Sequence, residues 1–154
     1  MGTVRRKMNP WFKKILYGIL VIGLLGAAAT WYIFSEKFSD TSETKTDFTI
    51  NALDLIHEFE KNDSLANKKY AEKMIVVNGM VSEIEAADTT VNIKMVDTTS
   101  GAYVIFAFQQ QHREEAKKIK QGDKVSIKGS CSGGAYSRIL ETEYITFKRC
   151  ALNK

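Results

Sequence analysis

Twenty consecutive residues without a charge, Ile15 to Phe34, constrain this chain more than any other stretch. Coiled as an α-helix they would reach about 30 Å, the thickness of a bilayer's hydrocarbon core. Arg5, Arg6, Lys7, Lys13 and Lys14 precede them with no acid among them, whereas Glu36, Lys37, Asp40 and Glu43 follow. Cationic flanks stay on the cytoplasmic side. The expected organisation is therefore a cytoplasmic basic segment (1–14), a single-pass transmembrane signal-anchor helix in lipid (15–34), and an extracytoplasmic, periplasmic remainder at the cytoplasmic (inner) membrane. A cleaved signal peptide is the rival reading. Ala27-Ala28-Ala29 offers small residues to a peptidase, but the apolar run outlasts the ~7–15 residues of a signal core and continues through Trp31-Tyr32-Ile33-Phe34. Trp11 and Tyr17 near one end, and Trp31 and Tyr32 near the other, suit interfacial aromatic belts.

The charge balance divides at the same place. Six of the 22 Lys and Arg fall in residues 1–37, against one of the 18 Asp and Glu, which leaves 16 basic and 17 acidic residues beyond. The sequence pI of 9.0 thus belongs to the anchor and its anionic-lipid face. It is no footprint of nucleic-acid binding by the exported part. The 117 residues after position 37 suffice for one domain with its own core.

Residues 35–47 are polar and read as a tether; 48–154 read as a domain with a leading helix. Thr49 is the expected N-cap, with Ala52, Leu53, Leu55, Ile56 and Phe59 forming an apolar stripe. Asn62-Asp63-Ser64 re-caps the helix, and Leu65, Ala66 and Tyr70 continue its apolar face. From Met74 the period becomes two. Strands are expected over Met74–Glu85, with Gly79 as a bulge or bend, then around Val91, Ile93 and Met95, and around Val104, Phe106 and Phe108. A short helix over Gln110–Lys120 ends at Gly122. Val125–Gly129 and Tyr144–Leu152 give two more strands. Helix, three strands, helix, two strands is the order of the OB-fold, a mainly β fold with helices in which five strands form a Greek-key barrel.

The run Asn62-x3-Ala66-x3-Tyr70-x2-Lys73-x3-Val77-x-Gly79-x-Val81 resembles the tRNA anticodon-binding-like OB-fold family (tRNA_anti-like) of bacterial envelope proteins. Lys120-Gln121-Gly122-Asp123-x-Val125-x-Ile127-x-Gly129, Cys131-Ser132-Gly133 and Ile145-x-Phe147-x2-Cys150-x-Leu152 agree with it. The resemblance spans about Asp47 to Leu152 and implies the barrel and, by fold analogy, nucleic-acid binding. It implies no catalytic residues. A longer insert between the two cysteines departs from the pattern.

Candidate chemistry is sparse. His57 and His112 read as surface helix residues with no Cys or acid at ligand spacing, so no metal or cofactor site is expected. There is no phosphate-cradling glycine loop and no nucleophile elbow. Two registers are open for the last hairpin. With the tip at Gly133-Gly134 the cysteines lie far apart; with the tip at Leu140-Glu141, Cys131 and Cys150 face each other and can bridge. An OB-fold's usual ligand surface is the face of its second and third strands with two flanking loops. Projected here, it comprises Asn92, Lys94 and Tyr103, with Asp88 and Thr89 in one loop and Tyr136 and Arg138 in the other. Two tyrosines on a near-neutral domain fall short of a stacking, positive groove for single strands. The expectation is a non-enzymatic binding or scaffold module for an envelope protein, peptide or glycan. Binding of single-stranded DNA or RNA is the alternative.

Overall fold

The computed structural model describes residues 10–35 and 40–154, so Arg5, Arg6, Lys7, Glu36 and Lys37 lie outside the described residues. The chain divides into two units, Met1–Phe38 and Ser39–Lys154. The first carries helix α1 (Pro10–Ser35). The 19-residue span from Lys14 to Tyr32 is apolar enough overall and long enough to cross a membrane. Pro10 suits the first position of a helix, where its missing N–H is no loss. Thr30 turns its hydroxyl back to the carbonyl of Gly26, which satisfies its one polar group within the helix.

The second unit runs β1 (Phe48–Asn51), α2 (Ala52–Lys61), α3 (Asp63–Tyr70), β2 (Met74–Met80), β3 (Glu83–Ala86), β4 (Val91–Val96), β5 (Tyr103–Phe108), a 3₁₀ turn (Gln110–His112), α4 (Arg113–Ala116), β6 (Lys124–Ser137) and β7 (Thr142–Leu152). The seven strands form one unclosed sheet in the order β1-β2-β6-β7-β5-β4-β3. This corrects the expected count of five. Phe48–Asn51 is a parallel edge strand on β2 rather than the start of a helix. Phe48 and Ile50 pack toward the core, which holds this stretch extended. The helix cap is therefore Asn51, whose side chain accepts from the N–H of Leu53 at 3.0 Å, and not Thr49. Asn62 caps α3 in the same way through Leu65 N–H.

The single strand expected over Met74–Glu85 is two. β2 pairs with β6 as far as Met80 opposite Lys124. Val81 N–H then donates to Asp123 C=O, Ser82 N–H donates to Lys94 C=O, and β3 continues along β4. The change of partner falls at Val81-Ser82, where the Gly122-Asp123 turn meets the strand. Gly79 stays in register opposite Val125. Its role is close approach: a Cβ there would stand 2.6 Å from Met95 Sδ and 2.9 Å from Ala52 Cβ.

The core lies between the inner face of the sheet and α2–α3. Val91, Ile93 and Met95 of β4, Val104 and Phe106 of β5, and Ile145 and Phe147 of β7 are buried, as are Leu55, Ile56, Phe59 and Tyr70 from the helices. Phe106 meets Phe147 at 5.1 Å between ring centroids, and Phe48 stands edge-on to Tyr70 at 5.3 Å.

The last hairpin follows neither expected register. Ser137 pairs with Thr142, so the tip is Arg138–Glu141, one residue short of the centre that would align the cysteines. Two irregularities of opposite sense then interrupt the ladder. β7 gains a residue near Arg149 (φ +54°) and β6 gains one near Gly133 (φ +102°). Cys131 pairs with Phe147, Cys150 lies against Gly129, and both cysteines are free and buried. Gly133-Gly134 is thus strand, held from outside by Asn67 of α3. The Asn67 side chain accepts from Gly134 N–H and donates to Gly134 C=O, each at 2.9 Å.

Part of the expected tether is packed. Thr41 is buried, Asp40 Oδ1 lies 2.7 Å from His112 Nε2, and Lys128 Nζ donates to Ser42 C=O. Asp47 bonds Met74 through both backbone and side chain. Hydrogen bonds from His112 and Ser42 hold the Asp40 carboxyl well below the usual carboxylate range.

Candidate ligand surface

Strand alternation and register place Asn92, Lys94 and Val96 of β4 beside Tyr103, Ile105 and Ala107 of β5 on the outer face. The parallel pairing of β5 with β7 adds Tyr144 opposite Tyr103 and Thr146 opposite Ile105. The two tyrosine rings stack at 6.2 Å with a 23° tilt and form a half-buried aromatic ledge. The sequence reading found Tyr103 but missed Tyr144. Only the β5–β7 register brings them together.

Lys94 Nζ stands 5.7 Å above the Tyr103 ring. It is not a free cation, because Glu83 (3.4 Å) and Glu85 both pair with it. The Glu85 hydrogen bond raises the Lys94 pKa and lowers that of Glu85. Two carboxylates against one ammonium leave this part of the face acidic. Of the flanking residues, Asp88 is tied by its carbonyl to Arg113 Nη1 at 3.1 Å, and Thr89 is exposed. Tyr136 pairs with Glu143, one step out of phase with the Ala135–Tyr144 pair, so it projects from the opposite face of the sheet. Arg138 sits at the exposed hairpin tip beside Ile139 and Leu140. The projected set therefore splits: Asn92, Lys94 and Tyr103 share one face, and Tyr136 and Arg138 do not join it.

A groove of about 780 Å³ opens elsewhere, between the start of α2, the end of β2 and the end of β4. Leu53, Gly79, Met80, Val96 and Asp97 line it, with Lys124 across from them. Its exposed Leu53 and Met80 make it largely apolar.

The histidines are less isolated than their spacing implied. His57 Nε2 lies 3.0 Å from Asp97 Oδ2, a partner 40 residues away. Among the described residues, His57, Glu60 and Asp97 form a group whose ligand-capable atoms lie within 4.8 Å of one another. Asp97 Oδ1 also accepts from Thr99 N–H at 2.8 Å, which with His57 lowers the Asp97 pKa.

A family model, tRNA_anti-like, matches residues 7–143. The chain belongs to the tRNA_anti-like family. The match takes in α1 and the sheet as far as the start of β7, so it reaches further toward the N-terminus than the motifs and stops short of Ile145–Leu152. Among solved structures, a putative nucleic acid-binding lipoprotein from Klebsiella pneumoniae subsp. pneumoniae aligns over 68% of this chain and 91% of its own, at 16% identity and a TM-score of 0.54. That similarity is one of fold. An OBody bound to hen egg-white lysozyme aligns over 56% of this chain and 87% of its own, at 20% identity and a TM-score of 0.42. A putative aspartyl-tRNA synthetase from Leishmania major aligns over 77% of this chain and 22% of its own, at 10% identity and a TM-score of 0.45. No curated protein matches the sequence.

Proposed function

We propose that this family member is a membrane-tethered, non-catalytic OB-fold binding module. Its ledge on β4, β5 and β7 takes an uncharged stretch of an envelope peptide, protein or glycan. In this reading β2 and β3 are the halves of one bent strand, handing over from β6 to β4 at Val81-Ser82, and β1 is an addition to a five-stranded barrel. The excess of Lys and Arg ahead of the apolar run, with acids following it, supports an N-terminus in the cytoplasm and the domain outside. A topology reporter fused after Lys154 tests that arrangement.

One observation carries the choice of ligand: the Tyr103–Tyr144 stack lies beside a lysine already neutralised by two glutamates. Aromatic faces favour apolar and ring-bearing partners, while a phosphate chain needs unpaired cations. Envelope-derived glycans and peptides, titrated against the full chain in detergent micelles, should bind, and replacing both tyrosines by Ala should weaken binding at least about tenfold. Unchanged affinity in that variant refutes the site.

The family, and the Klebsiella protein's description as a putative nucleic acid-binding lipoprotein, favour a second reading, binding of single-stranded nucleic acid. A gel shift with an oligonucleotide separates the two. True binding weakens steeply with salt, and Lys94→Ala reduces the salt slope by about one ion if Lys94 reaches a phosphate.

A further inference from the structure

We propose that His57, Glu60 and Asp97 form a binding site for a divalent transition-metal ion, with Zn²⁺ the best fit, at the rim of the groove beside α2. His57 and Glu60 are three apart on α2 and share one helical face. Asp97 comes from the end of β4, so a metal there would clip the helix to the sheet. The three ligand-capable atoms lie within 4.8 Å of one another. Ligands on tetrahedral zinc stand roughly 3.3 Å apart, given bonds of about 2.0–2.1 Å. The 3.0 Å between His57 Nε2 and Asp97 Oδ2 is close to that spacing. Glu60 is exposed and free to swing its carboxylate in.

Asp97 is held as metal ligands are. Its Oδ1 accepts from Thr99 N–H, its N–H donates to Ala102 C=O, and its C=O accepts from Gly101 N–H at 2.7 Å. This fixes Oδ2 toward His57 and leaves it the carboxylate's second acceptor. The tautomer with the proton on Nδ1 offers Nε2 to the ion. One imidazole and two carboxylates suit zinc and its first-row neighbours better than calcium or magnesium, which take oxygen donors alone.

Glu143 is a separate observation pointing to a cation. Asp97 bonds Ala102, and Tyr103 pairs with Tyr144. Continued by one residue, that register puts Ala102 between Asp97 and Glu143, so the two acids lie two strands apart along one row of the sheet. Glu143 is 7% exposed, and its Oε1 has no hydrogen-bond partner among the described residues. Burial, with Asp63 and Glu60 nearby, raises its pKa. A buried carboxyl facing further acids is the environment a divalent ion relieves.

The test is titration of the full chain, purified in detergent without a histidine tag and stripped of metal, with Zn²⁺ by calorimetry. His57→Gln and Glu60→Gln alter exposed side chains, and circular dichroism checks that they fold. The expected result is one Zn²⁺ per chain, a thermal midpoint raised by the ion, and at least about tenfold weaker binding in each variant. No saturable binding, or equal affinity in wild type and both variants, overturns the site. So does binding that survives both changes and is lost in His112→Gln.

Discussion

The contact between α2 and the last hairpin gives the sharpest test of how this fold is held. Gly134 sits in β6 opposite Ile145. A Cβ on it would stand 2.5 and 2.7 Å from Cδ1 and Cε1 of Phe59, and 3.1 Å from Ile145 Cγ1. Phe59 is 1% exposed and stacks on Tyr70 at 6.3 Å. The ring therefore cannot retreat without displacing Tyr70 or lifting α2. The backbone at Gly134 is one any L-residue adopts, so the cost of Gly134→Ala is purely steric. Overpacking of this kind costs about 1–3 kcal/mol, and the better backbone entropy of Ala offsets about 0.5 kcal/mol. A net loss of about 1–2 kcal/mol lowers the thermal midpoint of a domain this size by roughly 4–12 °C. Urea and thermal unfolding of the full chain in micelles, followed by circular dichroism, measure it. In a Phe59→Leu background the same change should cost less than about 0.5 kcal/mol, a coupling of at least ~0.5 kcal/mol. Gly134→Ala at wild-type stability, or two changes that simply add, would refute the claim that glycine is there to seat the ring.

Two further expectations concern buried groups. Glu143 has a folded pKa above its unfolded value, so its penalty is absent in acid and grows as pH rises from about 4.5 through the folded pKa. In EDTA, Glu143→Gln should match wild type near pH 4 and melt higher toward pH 7; a constant difference across that range argues against a raised folded pKa at Glu143. Burial pushes the Cys131 thiol up to about 11 and the Cys150 thiol well above its usual value. Neither should react with iodoacetamide in the native chain, and both should react in guanidinium. Native-state alkylation, or a mass two protons light under oxidising purification, would contradict two free buried thiols.

The elements readable in the sequence were those whose signal is local. Alternation at Val91, Ile93 and Met95 identifies β4, and the apolar period of Leu55, Ile56 and Phe59 identifies α2, because burial of one face imposes a period. Phe48–Asn51 failed for the opposite reason. Four residues carry too little period to outweigh the cap signal of Thr49, and pairing with β2 makes them a strand. Gly79 was correctly singled out and wrongly explained, since the space it leaves is filled by Ala52 and Met95 from other elements. The last hairpin shows how little separates one register from another. A tip centred one residue earlier, followed by two compensating irregularities, sets Cys131 against Phe147 instead of Cys150.

By itself the sequence determined an apolar helix of membrane-spanning length, a near-neutral domain beyond it, and the period of most strands. Composition and spacing along one chain are enough for those properties. Tertiary structure alone decided which side chains meet. The Tyr103–Tyr144 ledge needs the β5–β7 register, and the His57–Asp97 pair needs α2 laid across the end of β4. Such sites join residues 40 or so apart, and their partners are set by how strands order and bend around the core.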